Sequence, residues 1–208
     1  MNTFDKQSIS ALRSRVKERI SERRYKHTEG VASTAIKIGE ILIPGRIDEL
    51  ECAALIHDAA KELPKAEILS IAAEMKCTVT AEDLASPAVL HAVVGPAVIL
   101  RDFPEYATEN ILSAVRKHTT GDADMSVFDE IIFISDYIEE GRTYPSCIET
   151  RNEFFRSFSS SNSYEKNILA LHKAVYRCLK NTVEALSARG DSIHIKTKLA
   201  IDTFASLI

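Results

Sequence analysis

Glycine and proline are scarce in this sequence, at seven and six among 208 residues, and runs of alternating Val, Ile and Thr are scarcer still. The first shortage leaves few breaks for a loop-rich chain, and the second argues against a sheet. The four cysteines, Cys52, Cys77, Cys147 and Cys178, are widely spaced and include no C-x-x-C pair. That spacing argues against a disulfide framework or a zinc ribbon; thiols in a reducing cytosol are the simpler account. Positive charge is not in excess: a net charge of -4 leaves no basic footprint for nucleic acid. No apolar run reaches the length of a membrane span, and the opening segment MNTFDKQSISALRSRV lacks the apolar stretch of a signal peptide. Gly39, Gly45, Gly95 and Gly121 are isolated, so no glycine-rich loop is present to cradle phosphates. The expectation is a cytoplasmic protein with neither nucleic acid nor membrane as partner.

The residues present are those of a helical domain. The chain is 45% hydrophobic and 27% charged, ordinary for a soluble globular protein, and Ala, Leu, Ile, Lys and Glu dominate. Asp5 or Ser8 can cap a first helix, with Ile9, Leu12, Val16 and Ile20 at helical spacing. A break near Arg24 and Tyr25 leads to a second helix that opens at His27 and ends at Pro44-Gly45. Asp48 begins a helix that carries His57 and Asp58 and stops before Pro64. Pro64 opens a short helix to about Met75, and Thr80 with Asp83 forms a capping box. Helices follow from Ser86-Pro87, from Glu105 to Lys117, from Met125 to Glu139, from Cys147 to Phe158, from Tyr164 to Leu186 and from Lys196 to Leu207. The reading is one all-α domain over residues 1–208, with a core from about 20 to 145 and a helical cap from about 147 to 208.

The stretch ALIHDAAKELP, Ala54 to Pro64, sets an imidazole and a carboxylate side by side in an apolar helix. An unpaired buried charge is costly, so His57 and Asp58 need either a hydrogen-bonded network or a metal. Four of the six histidines, His27, His57, His91 and His118, fall near an end or inward face of four different helices. Asp58 and Asp136 are the two acids embedded in apolar segments. Each alone is more often an ordinary core or surface residue, but together they are best explained by two divalent ions sharing a bridging carboxylate. His172 and His194 are read as structural. Arg19, Arg23, Arg24 and Lys26 read mostly as a solvated face, with a rim for a phosphorylated ligand as the sharper alternative.

The series H…HD…H…H…D resembles the HD superfamily of metal-dependent phosphohydrolases. The segments HTEGVASTA, ALIHDAAKELP, VLHAVVGPAV, HTTGDADMS, IIFISDYIEEGR and SIHIKT are similar to the motifs of its YqeK-type branch, bacterial symmetrical hydrolases of dinucleoside tetraphosphates. The resemblance implies an HD-domain helical bundle with additional C-terminal helices. It implies a di-iron type of site, with manganese, nickel, cobalt and zinc as other candidates. It places His27, His57, Asp58 and Asp136 on one ion, and His91, His118 and the bridging Asp58 on the other. The reaction it implies is attack by a metal-bound hydroxide on diadenosine tetraphosphate, with two ADP as products.

Lys61, four residues after His57, is expected to sit over the phosphates. Thr119 and Gly121 offer a hydroxyl and a backbone N–H to a phosphate, or simply a turn, and Arg142 a bidentate fork. The alternatives are an HD phosphohydrolase of another nucleotide (a monophosphate, a deoxynucleoside triphosphate or a cyclic nucleotide), a nucleotide-binding sensory module, or a purely structural bundle. Oligomeric state stays open, a homodimer included.

Overall fold

The computed structural model describes residues 4–208. Among them are eleven α-helices, three single 3-10 turns and no strand. The N-terminal helices are α1 (Lys6–Arg19), α2 (Glu22–Leu42), α3 (Ile47–Ile56), α4 (Lys65–Glu74), α5 (Ala81–Ala85) and α6 (Leu90–Asp102). They are followed by α7 (Glu109–Lys117), α8 (Val127–Ile138), α9 (Pro145–Ser157), α10 (Tyr164–Arg189) and α11 (Ile195–Ser206).

Side-chain caps explain most of the starts. Asp5, Ser21, Thr80, Thr108, Ser126 and Ser163 each accept a hydrogen bond from a backbone N–H in the first turn of their helix, a contact worth about 1 kcal/mol. Thr80 with Asp83 and Ser126 with Asp129 form full capping boxes.

Three expected boundaries move. The break before the second helix lies at Ile20-Ser21, because Ser21 caps α2, so His27 stands inside that helix rather than at its start. The helix expected from Glu105 begins at Glu109, because Pro104 opens a 3-10 turn through Tyr106 and Thr108 supplies the cap. The helix expected to carry His57 and Asp58 as far as Pro64 ends at Ile56. Beyond it the chain runs in tight turns, with Ala59 N–H on Ile56 O, Lys61 N–H on Asp58 O and Leu63 N–H on Ala60 O.

Helix α3 is the centre of the bundle. Leu50, Cys52, Ala53, Ala54, Leu55 and Ile56 are all buried, because α1, α2, α7 and α8 pack around it. The run Cys52–Ile56 is apolar all round, and such a stretch is stable only when enclosed in this way. Helix α8 is the other inner rod, with Ile131, Ile132, Ile134 and Ile138 fully buried between α2, α7, α9 and α10. The ends of α3 and α7 and the sides of α2, α6 and α8 converge on one point of the bundle, where the candidate ligands collect.

Candidate metal centre

Two of the histidines are placed by the same local device. His57 and His118 each follow the last residue of a helix, α3 and α7. A helix end leaves carbonyls without intrahelical partners, and each ring takes the one three residues back. His57 Nδ1 lies 2.6 Å from Ala54 O and His118 Nδ1 lies 2.7 Å from Val115 O. Both Nδ1 atoms must therefore donate, which leaves both Nε2 lone pairs free. His27, on α2, has Nδ1 3.1 Å from Glu139 Oε1 and Nε2 2.9 Å from Asp136 Oδ1. His91, in the first turn of α6, has Nε2 3.1 Å from His118 Nε2. The rings form a row, with centroids 5.7 Å apart for His27–His57 and 5.1 Å apart for both His57–His118 and His91–His118.

Asp58 sits across the middle of that row. Its Oδ1 is 3.3 Å from His91 Nε2 and 3.4 Å from His118 Nε2. Its Oδ2 is 3.6 Å from His57 Nε2 and 2.8 Å from Arg24 Nη1. Asp136, on α8, is held by Arg142, whose Nη2 lies 2.5 Å from Oδ1 and whose Nε–H donates to Asp136 O at 2.9 Å.

The electrostatics separate acids from bases. Burial presses His57 and His91 down to about 4, so both are neutral at physiological pH, as ligands must be. Burial works against ionisation of Asp58, yet the imidazoles of His57, His118 and His91 overrule it and hold the carboxyl well below its ordinary range. Asp136 is likewise depressed against its burial, by His27 and the Arg142 guanidinium. His27 is raised despite burial by the Asp136 and Glu139 carboxylates. Lys61 is lowered by burial, an effect that Asp58 and Asp136 only partly offset.

The residues fit a metal on three counts. His27 Nε2, His57 Nε2 and Asp58 Oδ1 are buried without a hydrogen-bond partner; Asp136 Oδ1 is close to His27 Nε2 but out of line for a bond. Each such orphan costs about 1–3 kcal/mol. Imidazole and carboxylate together suit first-row divalent ions. The spacing agrees too: ligand atoms about 2.1 Å from one ion stand roughly 3.0 Å apart at a right angle and about 3.4 Å apart at the tetrahedral angle. The contacts of 2.9, 3.1, 3.3 and 3.4 Å at His27–Asp136, His91–His118, Asp58–His91 and Asp58–His118 are of that size. Two groups are compact enough to hold an ion, His27 with His57 and Asp136, and His57 with Asp58 and His118. His91 joins the second through Asp58 and His118.

All six candidate ligands thus come together. Of the expected substrate contacts, Lys61 Nζ reaches 3.1 Å from His91 Nε2 and Thr119 Oγ1 lies 3.0 Å from the same atom. Lys61 arrives from the turn after α3 and not, as its spacing from His57 implied, along a helix face. Arg142 is committed to Asp136 and lines a cleft of about 600 Å³ together with Arg23, Arg24, Lys26, His27 and Tyr144. A second cleft of about 220 Å³ opens beside Lys61 and His91, walled by Leu63, Ile68, Pro87, Ala88 and Leu90.

Gly121 is a correction. Its N–H donates to Lys117 O at 2.9 Å, and the residue is buried beside Leu179 and Ala200, so it turns the chain and has no N–H to offer a phosphate. Two residues acquire contacts that the sequence did not indicate. Arg24 pairs with a candidate ligand, where its cluster suggested at most a rim, and Glu139 backs His27. The signal for Glu139 lay in its position, three residues after Asp136 at the end of the same helix.

The HD domain family model matches residues 24–141, a span that includes all six candidate ligands. The symmetrical bis(5'-nucleosyl)-tetraphosphatase of Bacillus subtilis is 31% identical over 92% of this chain and 94% of its own. Its counterpart from Staphylococcus aureus is 31% identical over 91% of each chain. Among solved structures, a predicted HD superfamily hydrolase involved in NAD metabolism from Clostridium acetobutylicum superposes with a TM-score of 0.78 at 28% identity, covering 98% of both chains. A family match over more than half the chain, with relatives aligned nearly end to end, establishes that this chain belongs to the HD domain family.

Proposed function

We propose that the chain hydrolyses diadenosine tetraphosphate symmetrically, adding one water across the central anhydride to give two ADP. The observation that carries this is the cluster of His27, His57, Asp58, His91, His118 and Asp136 with three ligand atoms left unsatisfied. Relatives that bear the same activity in their names and align over nearly the whole chain support it. The substrate class follows from the surroundings as well: a polyphosphate carries several negative charges, and Arg23, Arg24, Lys26 and Arg142 face one cleft while Lys61 borders the other. Another nucleotide substrate has no comparable support.

His27, His57, Asp58 and Asp136 would hold one divalent ion, and His91, His118 and Asp58 the second, with iron as the first candidate. Such ions supply charge neutralisation at a phosphoryl oxygen and lower the pKa of water. The chain's own residues do the rest. Asp58, with one oxygen on each side, keeps the two halves in register. Lys61 sits beside His91 and presents a cation to the bridging phosphates, and the Thr119 hydroxyl lies beside it. Arg142 holds Asp136 in place and lends its remaining donors to the cleft.

The reading takes residues 1–208 as one domain, with its chemistry in residues 20–145 and a cap beyond. It places the protein in the cytoplasm and admits a homodimer. No helix among the described residues is long and apolar enough to cross a membrane. The test is an anaerobic assay on diadenosine tetraphosphate with iron, manganese, cobalt, nickel or zinc, resolving products by chromatography. ADP alone is expected; AMP plus ATP would sink the symmetrical assignment.

A further inference from the structure

Glu139 closes α8 with a buried carboxylate, 3% exposed, that takes no part in the ligand set described above. Its backbone is fixed independently of its side chain: Glu139 O accepts from Arg142 N–H at 3.0 Å and from Arg151 Nη1 at 2.8 Å. The carboxylate then turns inward. Oε1 lies 3.1 Å from His27 Nδ1, and Oε2 accepts from Gly141 N–H at 2.5 Å.

Two glycines make room for it. A Cβ on Gly30, one turn along α2 from His27, would fall inside van der Waals contact of Oε2. A Cβ on Gly141 would stand 2.9 Å from Oε2 and 3.0 Å from Oε1. Gly30 and Gly141 come from opposite ends of the matched domain, yet both border the same carboxylate. His57 and His118, by contrast, give their Nδ1–H to neutral backbone carbonyls. Only His27 among the three is backed by an anion. The two halves of the site are therefore unequal, with Asp136 and Glu139 beside His27 and the Lys61 ammonium beside His91.

We infer that Glu139 is a positioning residue for His27 that makes the His27–His57–Asp136 end the tighter of the two metal positions. A carboxylate on the far nitrogen fixes which nitrogen faces the ion, fixes the ring plane and makes the imidazole a stronger donor. The inference rests on the proposed metal reading, and the experiment separates the two. The full-length chain, stripped with a chelator, is titrated with Mn²⁺ while free Mn²⁺ is followed by electron paramagnetic resonance.

The wild-type protein is expected to bind two ions in two steps. Glu139→Gln keeps the shape and removes the charge, and it should weaken the first step about 10- to 100-fold while leaving the second within a factor of about three. Gly30→Ala, which favours the α2 helix but expels the carboxylate, should weaken the same step without lowering the thermal midpoint of the metal-free protein. It covers the case in which Glu139→Gln folds poorly. If both variants take up the first ion as the wild type does, Glu139 has no positioning role and the metal reading stands. If the wild type itself binds no Mn²⁺, the metal reading falls and the inference with it.

Discussion

The Nε2 atoms of His91 and His118 lie 3.1 Å apart, and Asp58 Oδ1 is 3.3 Å from the first and 3.4 Å from the second. With His118 Nδ1–H already given to Val115 O, only His91 Nε2 can bring a proton to these three atoms, and Asp58 Oδ1 is left without a partner. A divalent ion removes that conflict. Removing it should therefore cost stability. With free metal at about 100 times its Kd, binding adds about 2.7 kcal/mol; for a chain of this length that is a rise in thermal midpoint of roughly 5–11 °C. The check is a thermal melt of chelator-stripped protein before and after adding back Mn²⁺ or Fe²⁺. Superimposable melts would remove the metal from the account.

Lys61 and Asp58 should separate in their effects. Asp58 lies beside His57, His91 and His118 and also pairs with Arg24, so Asp58→Ala is expected to abolish metal uptake and turnover together. Lys61 Nζ is near the ligands but is a donor, not a ligand, so Lys61→Ala should bind both ions and lose rate. Loss of one positioned cation at a developing phosphoryl charge costs about 10²- to 10³-fold in kcat. Metal content by elemental analysis beside kcat decides. A Lys61→Ala protein with unchanged turnover would exclude the lysine from the chemistry.

The acid side of the stability profile belongs to two histidines. Burial lowers His57 and His91 from 6.5 to about 4. Above about pH 6.5 neither the folded nor the unfolded metal-free chain protonates them. As pH falls from there towards 4, the unfolded chain takes protons that the folded one refuses, so stability falls with pH. Below about 4 both states are protonated and the loss is complete. The difference is on the order of 3 kcal/mol per histidine. Asp58 and Asp136, both depressed, lose their stabilising contributions only at lower pH, and Glu130, raised by burial, takes its proton first in the folded state and offsets part of the fall at the acid end of the window from 6.5 to 4. Urea midpoints of stripped protein measured across that window should drop steeply; a flat series contradicts neutral buried rings.

The convergence of the six side chains was legible because imidazoles and carboxylates in apolar helical surroundings share one explanation. The helical order was legible because caps and spacing are local. What the sequence hid is tertiary. ALIHDAAKELP is made of good helix formers with no break before Pro64, yet α3 ends at Ile56, where the His57 ring takes the Ala54 carbonyl. The site overrides propensity there. The pocket that admits Glu139 was hidden for a different reason. The two glycines that admit it are more than a hundred residues apart, and nothing local connects Gly30 to Gly141. Gly121 looked like a donor because it follows a candidate histidine ligand, but its N–H closes a backbone bond to Lys117 O.

Gly121 sits at φ +66°, and a Cβ there would stand 3.1 Å from Leu179 Cδ2 and 3.3 Å from Ala200 Cβ. The left-handed backbone costs a residue with a side chain roughly 1–2 kcal/mol, and the crowding against α10 and α11 adds to it. The segment cannot easily shift to relieve this, because Thr197 Oγ1 donates to Thr120 O at 2.8 Å and Lys196 Nζ to Asp122 Oδ2 at 2.6 Å. Behind them His194 Nε2 lies 3.1 Å from Asp83 Oδ1, so the start of α11 ties the turn after His118 to α5. Gly121→Ala should therefore lower the unfolding free energy of metal-free protein by about 1–3 kcal/mol. Gly45→Ala, with open space around it, should change it by less than about 0.5 kcal/mol. Urea denaturation of the two variants beside the wild type makes the comparison. Equal midpoints for Gly121→Ala and Gly45→Ala would show that the C-terminal helices exert no restraint on the turn that carries His118.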